Sequence, residues 1–212
     1  MATVVAPAEQ KVILRNVSWE TYERLLEERG DDSVPRFNFD CGDLEIMSPS
    51  REHEEYKYAL ARIVDVVTEE LGINQRGLGS TTFKREDVGR GFEPDACFYI
   101  QSVARLRGRR ELDLLVDPPP DLIIEIDVTT DSMKKLGIYA ALGVPEVWRY
   151  DGTLLTILAL EGGCYVERDA SLALPILTPA VLMELIGEHA SLDSIPWLRK
   201  LRKWVREHVS IE

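Results

Sequence analysis

The order of helix and strand patterns predicts an α/β (α+β) protein, in which a mixed central β-sheet is flanked by helices. Three observations support this fold class. Residues 36–47 alternate like a β-hairpin, and a long helical pattern follows them directly. Residues 121–127 are nearly all apolar, as in a strand that is covered on both faces. A helix and a further strand come next, and this order places helices on the faces of a sheet.

The N-terminal part of the chain contains a tail, a helix and the hairpin. We expect residues 1–11 to form a loose tail. Ser18 is a suitable N-cap for a helix over residues 17–30 that ends at Gly30. The hairpin turns at Cys41-Gly42-Asp43.

The longest helical pattern begins after Ser48-Pro49-Ser50, which is a typical helix start. Apolar residues then recur at helical spacing: Leu60, Ile63, Val64, Val67 and Leu71. Short β-like pieces within 73–85 lead to a strand at 95–100. Residues 131–142 fit a helix that is closed by Gly143, and two strands joined by a turn follow it.

Two helical patterns, 179–187 and 191–208, complete the chain. We therefore predict an N-terminal tail over 1–16 and one main domain over 17–190. The remaining segment, 191–212, is predicted to be a basic amphipathic helix that packs on the domain or on a dimer partner.

Composition indicates a globular cytoplasmic protein. The 212 residues contain no apolar run long enough to cross a bilayer, and the N-terminus does not resemble a secretory signal. The three cysteines are far apart without metal-site spacing, which is typical of reduced and mostly packed thiols. A net charge of −12 argues against a protein that coats nucleic acid nonspecifically.

Two acidic residues stand out in the strand patterns. Asp95 follows Pro94 at a strand entrance, and Glu125 lies within the apolar segment 121–127. A carboxylate in such a segment loses hydration unless a cation or donor compensates it. Two acids on neighbouring strands would suit Mg²⁺, which prefers oxygen ligands and often binds one or two carboxylates.

Lys135, ten residues after Glu125, begins the next predicted helix and could stabilise negative charge on an anionic substrate. Each residue also has an ordinary structural explanation. Asp95 could simply start a strand, Glu125 could pair with a buried cation, and Lys135 could be a solvated helix residue. Only the ordered combination of the three favours a metal-dependent site.

Other chemistries fit the sequence poorly. The glycines do not form a dinucleotide-binding motif or a P-loop, and no serine has the spacing of a nucleophile elbow. Paired carboxylates could support glycoside hydrolysis, but a nearby lysine at a strand end favours phosphate chemistry.

The order Pro94-Asp95, Glu125 and Lys135 resembles the PD-(D/E)XK nuclease superfamily. Three stretches, GDLEIMSPSREHE (42–54), FEPDACFY (92–99) and KLGIYAALGVPEVWRYDG (135–152), more narrowly resemble the Uma-two endonuclease family. The resemblance runs from about residue 18 to residue 165, and the stretch from Lys135 to Trp148 is its most specific part.

The resemblance implies a restriction-endonuclease-like core that hydrolyses DNA phosphodiester bonds. It implies that Asp95, Glu125 and the backbone carbonyl of Ile126 bind a divalent metal, Mg²⁺ or Mn²⁺. One departure is that a strict E-x-K pattern would place lysine at position 127, where this chain has Asp127. Lys135, or Lys134 in another register, would then supply the lysine, while Asp127 would either bind metal or weaken catalysis.

His53 matches a histidine that the family shows after its Ser-Pro pair. It shares a helix face with Tyr56 and Leu60, so it would point inward to orient water or bind phosphate, or would simply pack or cap the helix. Glu45 and Glu52 are weaker candidates for an additional acid from this region.

Two basic segments could contact DNA. The first could instead be a solvated loop. It carries Arg105, Arg107, Arg109 and Arg110 directly after the Asp95 strand. The second, residues 197–208, has an apolar side that favours docking on the domain or on a sister subunit. We expect a homodimeric endonuclease, and the alternative is a nuclease-fold module that binds DNA or protein after losing catalysis.

Overall fold

The computed structural model describes residues 10–128 and 135–209. These residues form helices and strands in mixed order, which confirms the predicted fold class. The helices are α1 (Trp19–Arg29), α2 (Arg51–Leu71), α3 (Leu136–Ala141), α4 (Pro179–Ser191) and α5 (Ser194–Val209). The strands are β1 (Gln10–Leu14), β2 (Arg36–Asp40), β3 (Asp43–Ser48), β4 (Arg76–Gly77), β5 (Phe83–Arg85), β6 (Arg90–Phe92), β7 (Ala96–Tyr99), β8 (Leu122–Ile126), β9 (Glu146–Tyr150), β10 (Leu155–Glu161) and β11 (Cys164–Arg168).

The larger sheet has six strands in the order β11-β10-β9-β8-β7-β4. It is mixed, because β8 and β9 run parallel while the other neighbours are antiparallel. Helices α2, α4 and α5 cover one face and α3 covers the other. All five residues of β8 are buried, as the apolar pattern predicted for a strand covered on both faces.

The smaller sheet has five strands in the order β1-β3-β2-β6-β5, and α1 packs against it. Tyr22 of α1 stacks on Phe39 of β2 with ring centroids 4.9 Å apart. The close approach of α1 requires a glycine at position 91, because a Cβ there would overlap the Tyr22 ring.

Local capping explains where the first two helices begin and end. The hydroxyl oxygen of Ser18 accepts from the N–H of Thr21, and that of Ser50 accepts from the N–H of His53. Gly30 and Gly72 end α1 and α2 with positive φ angles of 65° and 64°. These signals lie within a few residues of each boundary, which is why the sequence predicted both helices.

Residues 10–14 correct the predicted tail, because they form β1 and pair antiparallel with β3. Val12, Ile13 and Leu14 stay largely exposed in this edge strand. Backbone pairing rather than side-chain burial holds β1, so its hydrophobic pattern carries no signal of a strand. The cysteines are free thiols as predicted, but only Cys97 is buried, whereas Cys41 and Cys164 are exposed.

The connection between the two sheets passes through Glu93, directly before Pro94 and Asp95. Glu93 is buried, and its two oxygens accept from the Nη1 and Nη2 atoms of Arg29, each at 2.6 Å. One oxygen also accepts from the N–H of Phe37 at 2.8 Å. These bonds fix α1 and the small sheet against the entrance of β7.

Glu146 begins β9 and is fully buried among hydrogen-bond donors. Its Oε1 accepts from Trp148 Nε1 (2.5 Å) and Ser171 Oγ (2.6 Å), and its Oε2 accepts from the N–H groups of Leu172 (2.5 Å) and Ala173 (2.9 Å). Burial raises the pKa of Glu146 although these donors oppose the shift. The carboxyl group therefore ties β9 to the segment that leads into α4.

The C-terminal helix α5 packs on α2 and α4 of the same chain. Its buried apolar residues are Trp197, Leu201 and Val205. On its polar side, Arg202 lies 3.1 Å from Glu69 and Arg206 lies 2.6 Å from Glu70, both on α2. Much of its basic charge is thus neutralised locally, which makes α5 a poor surface for phosphates.

Of the helices in the described ranges, none is long and apolar enough to cross a membrane.

Candidate active site

Asp95 lies immediately before β7, at the strand entrance that Pro94 predicted, and its side chain is only 1% exposed. Its Oδ2 accepts from the N–H of Ile126 at 2.7 Å, and its Oδ1 accepts from Nη1 of Arg36. Nε2 of His53, which is also buried, lies 3.0 Å from Oδ2. The structure therefore brings His53 to Asp95, as its position at the start of α2 suggested.

Glu125 lies in β8 and is completely buried. Its Oε2 accepts from Nζ of Lys135 at 2.7 Å, and its Oε1 accepts from the hydroxyl of Tyr139 at 2.5 Å. Lys135 is the N-cap residue of α3 and Tyr139 lies one turn later, so the two side chains share one helix face. The short helix thus presents one donor to each oxygen of the same carboxylate.

Strand pairing relates the two acids to each other. Ala96 of β7 pairs with Ile124 of β8, so Asp95 and Glu125 occupy the next position along the two antiparallel strands. Asp95 precedes the paired residues of β7, and its side chain lies against His53 of α2, whereas that of Glu125 contacts α3. The bond from the Ile126 N–H to Asp95 joins the two acids further, because Ile126 directly follows Glu125.

Lys135 and Tyr139 both keep their protons near neutral pH. Burial acts to lower the pKa of Lys135, but the charge of Glu125 and its hydrogen bond outweigh burial, and the pKa is raised. Burial, reinforced by the charge of Glu125, raises the pKa of Tyr139 well above its ordinary value. Lys135 is therefore a cation and Tyr139 a neutral hydrogen-bond donor.

Arg36 of β2 is a buried cation between two acids. Besides Asp95, it contacts Glu54 of α2, whose Oε1 accepts from Nη2 at 2.6 Å. Burial raises the pKa of Glu54, but the nearby His53 ring, the hydrogen bond from Lys57 and the charge of Arg36 outweigh burial and lower the pKa to about 2. Asp95, Arg36, Glu54 and His53 thus form one connected group.

The lowered pKa of Glu54 predicts a pH dependence of stability. The folded protein holds this carboxyl ionised down to pH about 2, whereas its ordinary value is 4.5, so its contribution is present above pH 4.5 and declines as pH falls toward 2. We expect Glu54→Gln to be less stable than the parent at neutral pH and the difference to vanish near pH 2. Urea unfolding over this range measures it, and a difference that stays constant with pH would contradict the assignment.

Asp127, which stands where a strict E-x-K pattern would have lysine, pairs with an arginine. It is mostly buried, and its Oδ2 accepts from Nε of Arg149 on β9. Lys134, the alternative lysine, lies outside the described residues. Among the described residues, Lys135 is the lysine that contacts Glu125.

A cavity of about 320 Å³ opens in front of Lys135. Glu45 lines it and forms an ion pair with Lys11, so this candidate acid lies beside the lysine. Glu52, the other candidate, is exposed on α2. The remaining lining residues are Ile13, Arg15, Asn38, Asp40, Asp43 and Ile138.

The four predicted arginines lie apart from the two carboxylates, in the segment after β7. Arg105, Arg107, Arg109 and Arg110 are all exposed. Arg109 lies 3.3 Å from Asp117, and Arg105 donates to the carbonyl oxygen of Val116 at 3.4 Å. Arg107, Arg109 and Arg110 border the β4 edge of the large sheet rather than the acids themselves.

Sequence reasoning missed Arg36, Glu54 and Tyr139. The spacing of Tyr139 could have indicated its role, because it follows Lys135 by four residues and therefore shares a face of the same helix. Arg36 carried a weaker signal, since Arg36 and Asn38 share one face of β2 while Phe37 and Phe39 share the other. Only packing shows that both faces of this strand are buried.

Carboxylate oxygens are the type of ligand that a hard divalent cation prefers. Asp95 and Glu125 offer such oxygens from adjoining strands, but Arg36 and Lys135 already bind them, so a metal would have to displace or rearrange these cations. No cluster of three or more His, Cys, Asp or Glu side chains is arranged for a metal within residues 10–128 and 135–209. Two carboxylates agree with Mg²⁺, which keeps several waters as ligands.

Comparisons with known proteins identify a family and a similar fold. The model of the family Uma2, described as "Putative restriction endonuclease", matches residues 19–186. A solved structure with a similar fold is described as a "putative nuclease belonging to DUF820" from Anabaena variabilis ATCC 29413. It shares 17% identity and a TM-score of 0.52, over 81% of this chain and 96% of that one. No curated protein matches the chain significantly.

Proposed function

The chain belongs to the Uma2 family, and from this premise we propose that it is a metal-dependent endonuclease that hydrolyses DNA phosphodiester bonds. The observation that carries the proposal is the pair of buried carboxylates, Asp95 and Glu125, on adjoining strands with a cation beside each. Buried charges are costly unless they are paired, and sites that hold several of them are often functional.

Asp95 and Glu125 would hold the divalent metal, Mg²⁺ or Mn²⁺, together with the backbone carbonyl of Ile126. When bound, the metal supplies a Lewis acid that activates water and offsets negative charge on the phosphodiester. Lys135 lines the cavity and keeps its positive charge, so it can stabilise the anionic transition state. Tyr139 holds the Glu125 carboxylate in place by a hydrogen bond, and His53 lies against the Asp95 carboxylate, with its Nε2 atom 3.0 Å from Oδ2.

A second candidate function is a nuclease-fold module that binds DNA or protein without catalysis. Two observations favour it. Asp127 occupies the strict lysine position, and all four oxygens of Asp95 and Glu125 already have donors from the protein. Metal binding would have to displace or rearrange some of these donors. Homodimer formation and a cytoplasmic location remain predictions from the sequence.

Nicking of supercoiled plasmid DNA with Mg²⁺ or Mn²⁺ tests the proposal. We expect the parent protein to nick the plasmid, and Asp95→Ala and Glu125→Ala each to reduce the rate by about 10³-fold or more, because the metal loses one of its ligands. Glu161→Ala, an exposed acid at the end of β10, is the matched control and should leave the rate unchanged. A parent that nicks no faster than the Asp95→Ala/Glu125→Ala double variant on any DNA form would favour the inactive module.

A further inference from the structure

We propose that a groove at the β4 edge of the large sheet binds the phosphate backbone of a nucleic-acid strand; this inference rests on the proposed nuclease function. The groove consists of two neighbouring cavities of about 360 Å³ and 240 Å³, which share Arg76 and Leu106. Arg109 and Arg110 line the larger cavity and Arg107 lines the smaller one. We call it the arginine groove. Arg76 comes from β4 and was not among the residues that the sequence indicated.

In the arginine groove, Arg109 pairs with Asp117 and Glu111 also lines the larger cavity, but the other three arginines keep an uncompensated positive charge. Arg76, Arg107 and Arg110 are exposed, and none has a carboxylate oxygen within 4.0 Å in the described ranges. The basic helix α5 differs, because its Arg202 and Arg206 form ion pairs with acids of α2. In a chain with a net charge of −12, a cluster of exposed cations of this kind favours a polyanion.

One wall of the groove adjoins the segment that carries Asp95, although the groove arginines lie apart from the two carboxylates. β4 is the edge strand next to β7, with Arg76 opposite Tyr99. The segment that leaves β4 forms one wall of the groove through Thr81 and Thr82. The neighbouring Ser80 donates its hydroxyl to the backbone carbonyl of Asp95 at 3.3 Å. A strand held in the groove would therefore lie next to the segment that carries the first acid.

The lining indicates how a nucleic acid would be held. None of the described residues that line the two cavities is aromatic, so the groove offers no aromatic ring on which bases could stack. Guanidinium groups match phosphate geometry and can form paired hydrogen bonds with it. Binding should therefore depend on phosphates, be sensitive to salt, and show little preference for base sequence.

Equilibrium binding of the full chain to fluorescein-labelled DNA tests the inference, with EDTA present to prevent cleavage. The groove variant is Arg76→Gln/Arg107→Gln/Arg110→Gln. The control, Arg24→Gln/Arg199→Gln/Lys203→Gln, removes the same charge from exposed positions elsewhere. A third variant, with lysine at the three groove positions, keeps the charge. Fluorescence anisotropy with duplex and single-stranded DNA, at salt between about 50 and 200 mM, gives Kd and its salt dependence.

We expect the groove variant to bind DNA at least about tenfold more weakly at low salt. The slope of log K against log salt concentration should become less steep by about 2–3, since each lost phosphate contact reduces it by about 0.7–0.9. The control should bind like the parent, and the lysine variant should retain most of the affinity. Thermal melting checks that every variant is folded. If the groove variant and the control lose DNA affinity equally, or if neither loses any, the proposal that the groove binds DNA is wrong. The proposed nuclease function would still stand. A parent that neither binds nor cleaves DNA would overturn the proposed function as well.

Discussion

Replacing Arg36 by methionine should remove about 3–5 kcal/mol from the free energy of unfolding of the metal-free protein, because it leaves the Asp95 carboxylate buried without its cation. Asp95 and Arg36 are 1% and 2% exposed, so water cannot replace the lost partner. Urea unfolding in EDTA measures the effect. The double variant Arg36→Met/Asp95→Asn should recover much of the loss, since it removes the buried charge as well.

The control for this experiment is Arg90→Met, which breaks the half-exposed ion pair between Arg90 and Asp40 in the same small sheet. Such a pair contributes about 0–1 kcal/mol, so the control should remain close to the parent. If Asp95 holds a divalent metal, Mn²⁺ should stabilise Arg36→Met more than the parent, because the ion replaces the missing positive charge. Similar stability of Arg36→Met and Arg90→Met would show that Arg36 does not compensate Asp95.

Glu146→Ala should destabilise the protein by about 3–5 kcal/mol, although the residue lies outside the proposed catalytic group. The substitution leaves three buried donors, from Trp148, Ser171 and Ala173, and the partly buried N–H of Leu172 without their acceptor. It also opens a cavity between β9 and the segment that precedes α4. The free energy of urea unfolding is the measurement.

Glu161→Ala is the matched control for Glu146→Ala. Glu161 lies in the neighbouring strand β10, but it is half exposed, so its loss should change stability by less than about 0.5 kcal/mol. A Glu146→Ala protein as stable as this control would show that the buried network is unimportant. A stable but inactive Glu146→Ala would instead assign Glu146 to catalysis.

The stretch from Lys135 to Trp148 contains residues with two different roles. Glu146 and Trp148 belong to the stretch that most specifically resembled the Uma-two family. Their contacts are with each other and with the segment around Ser171, which indicates a structural role for this part of the motif. Lys135 and Tyr139, at the start of the same stretch, contact the candidate catalytic acid. A motif thus contains residues of both kinds, and only their contacts separate them.

Local chemistry along the chain determined most of the fold. The caps at Ser18 and Ser50, the helical spacing of α2 and the apolar run of β8 each act within one element, so they can be read without a structure. The order of Asp95, Glu125 and Lys135 likewise indicated the acids and their lysine. β1 was not predicted, because this strand is held by pairing with β3 rather than by burial of its side chains.

Only the tertiary structure decided what surrounds the acids. Arg36 reaches Asp95 across 59 positions of sequence, and Arg76 joins the loop arginines because β4 pairs with β7. Such contacts depend on strand register and on the packing of one sheet against another, which no local pattern encodes. The sequence therefore determined which acids and which lysine to examine. Folding determined that a buried arginine neutralises one acid, that Tyr139 holds the other, and that Arg76 and the loop arginines line one groove.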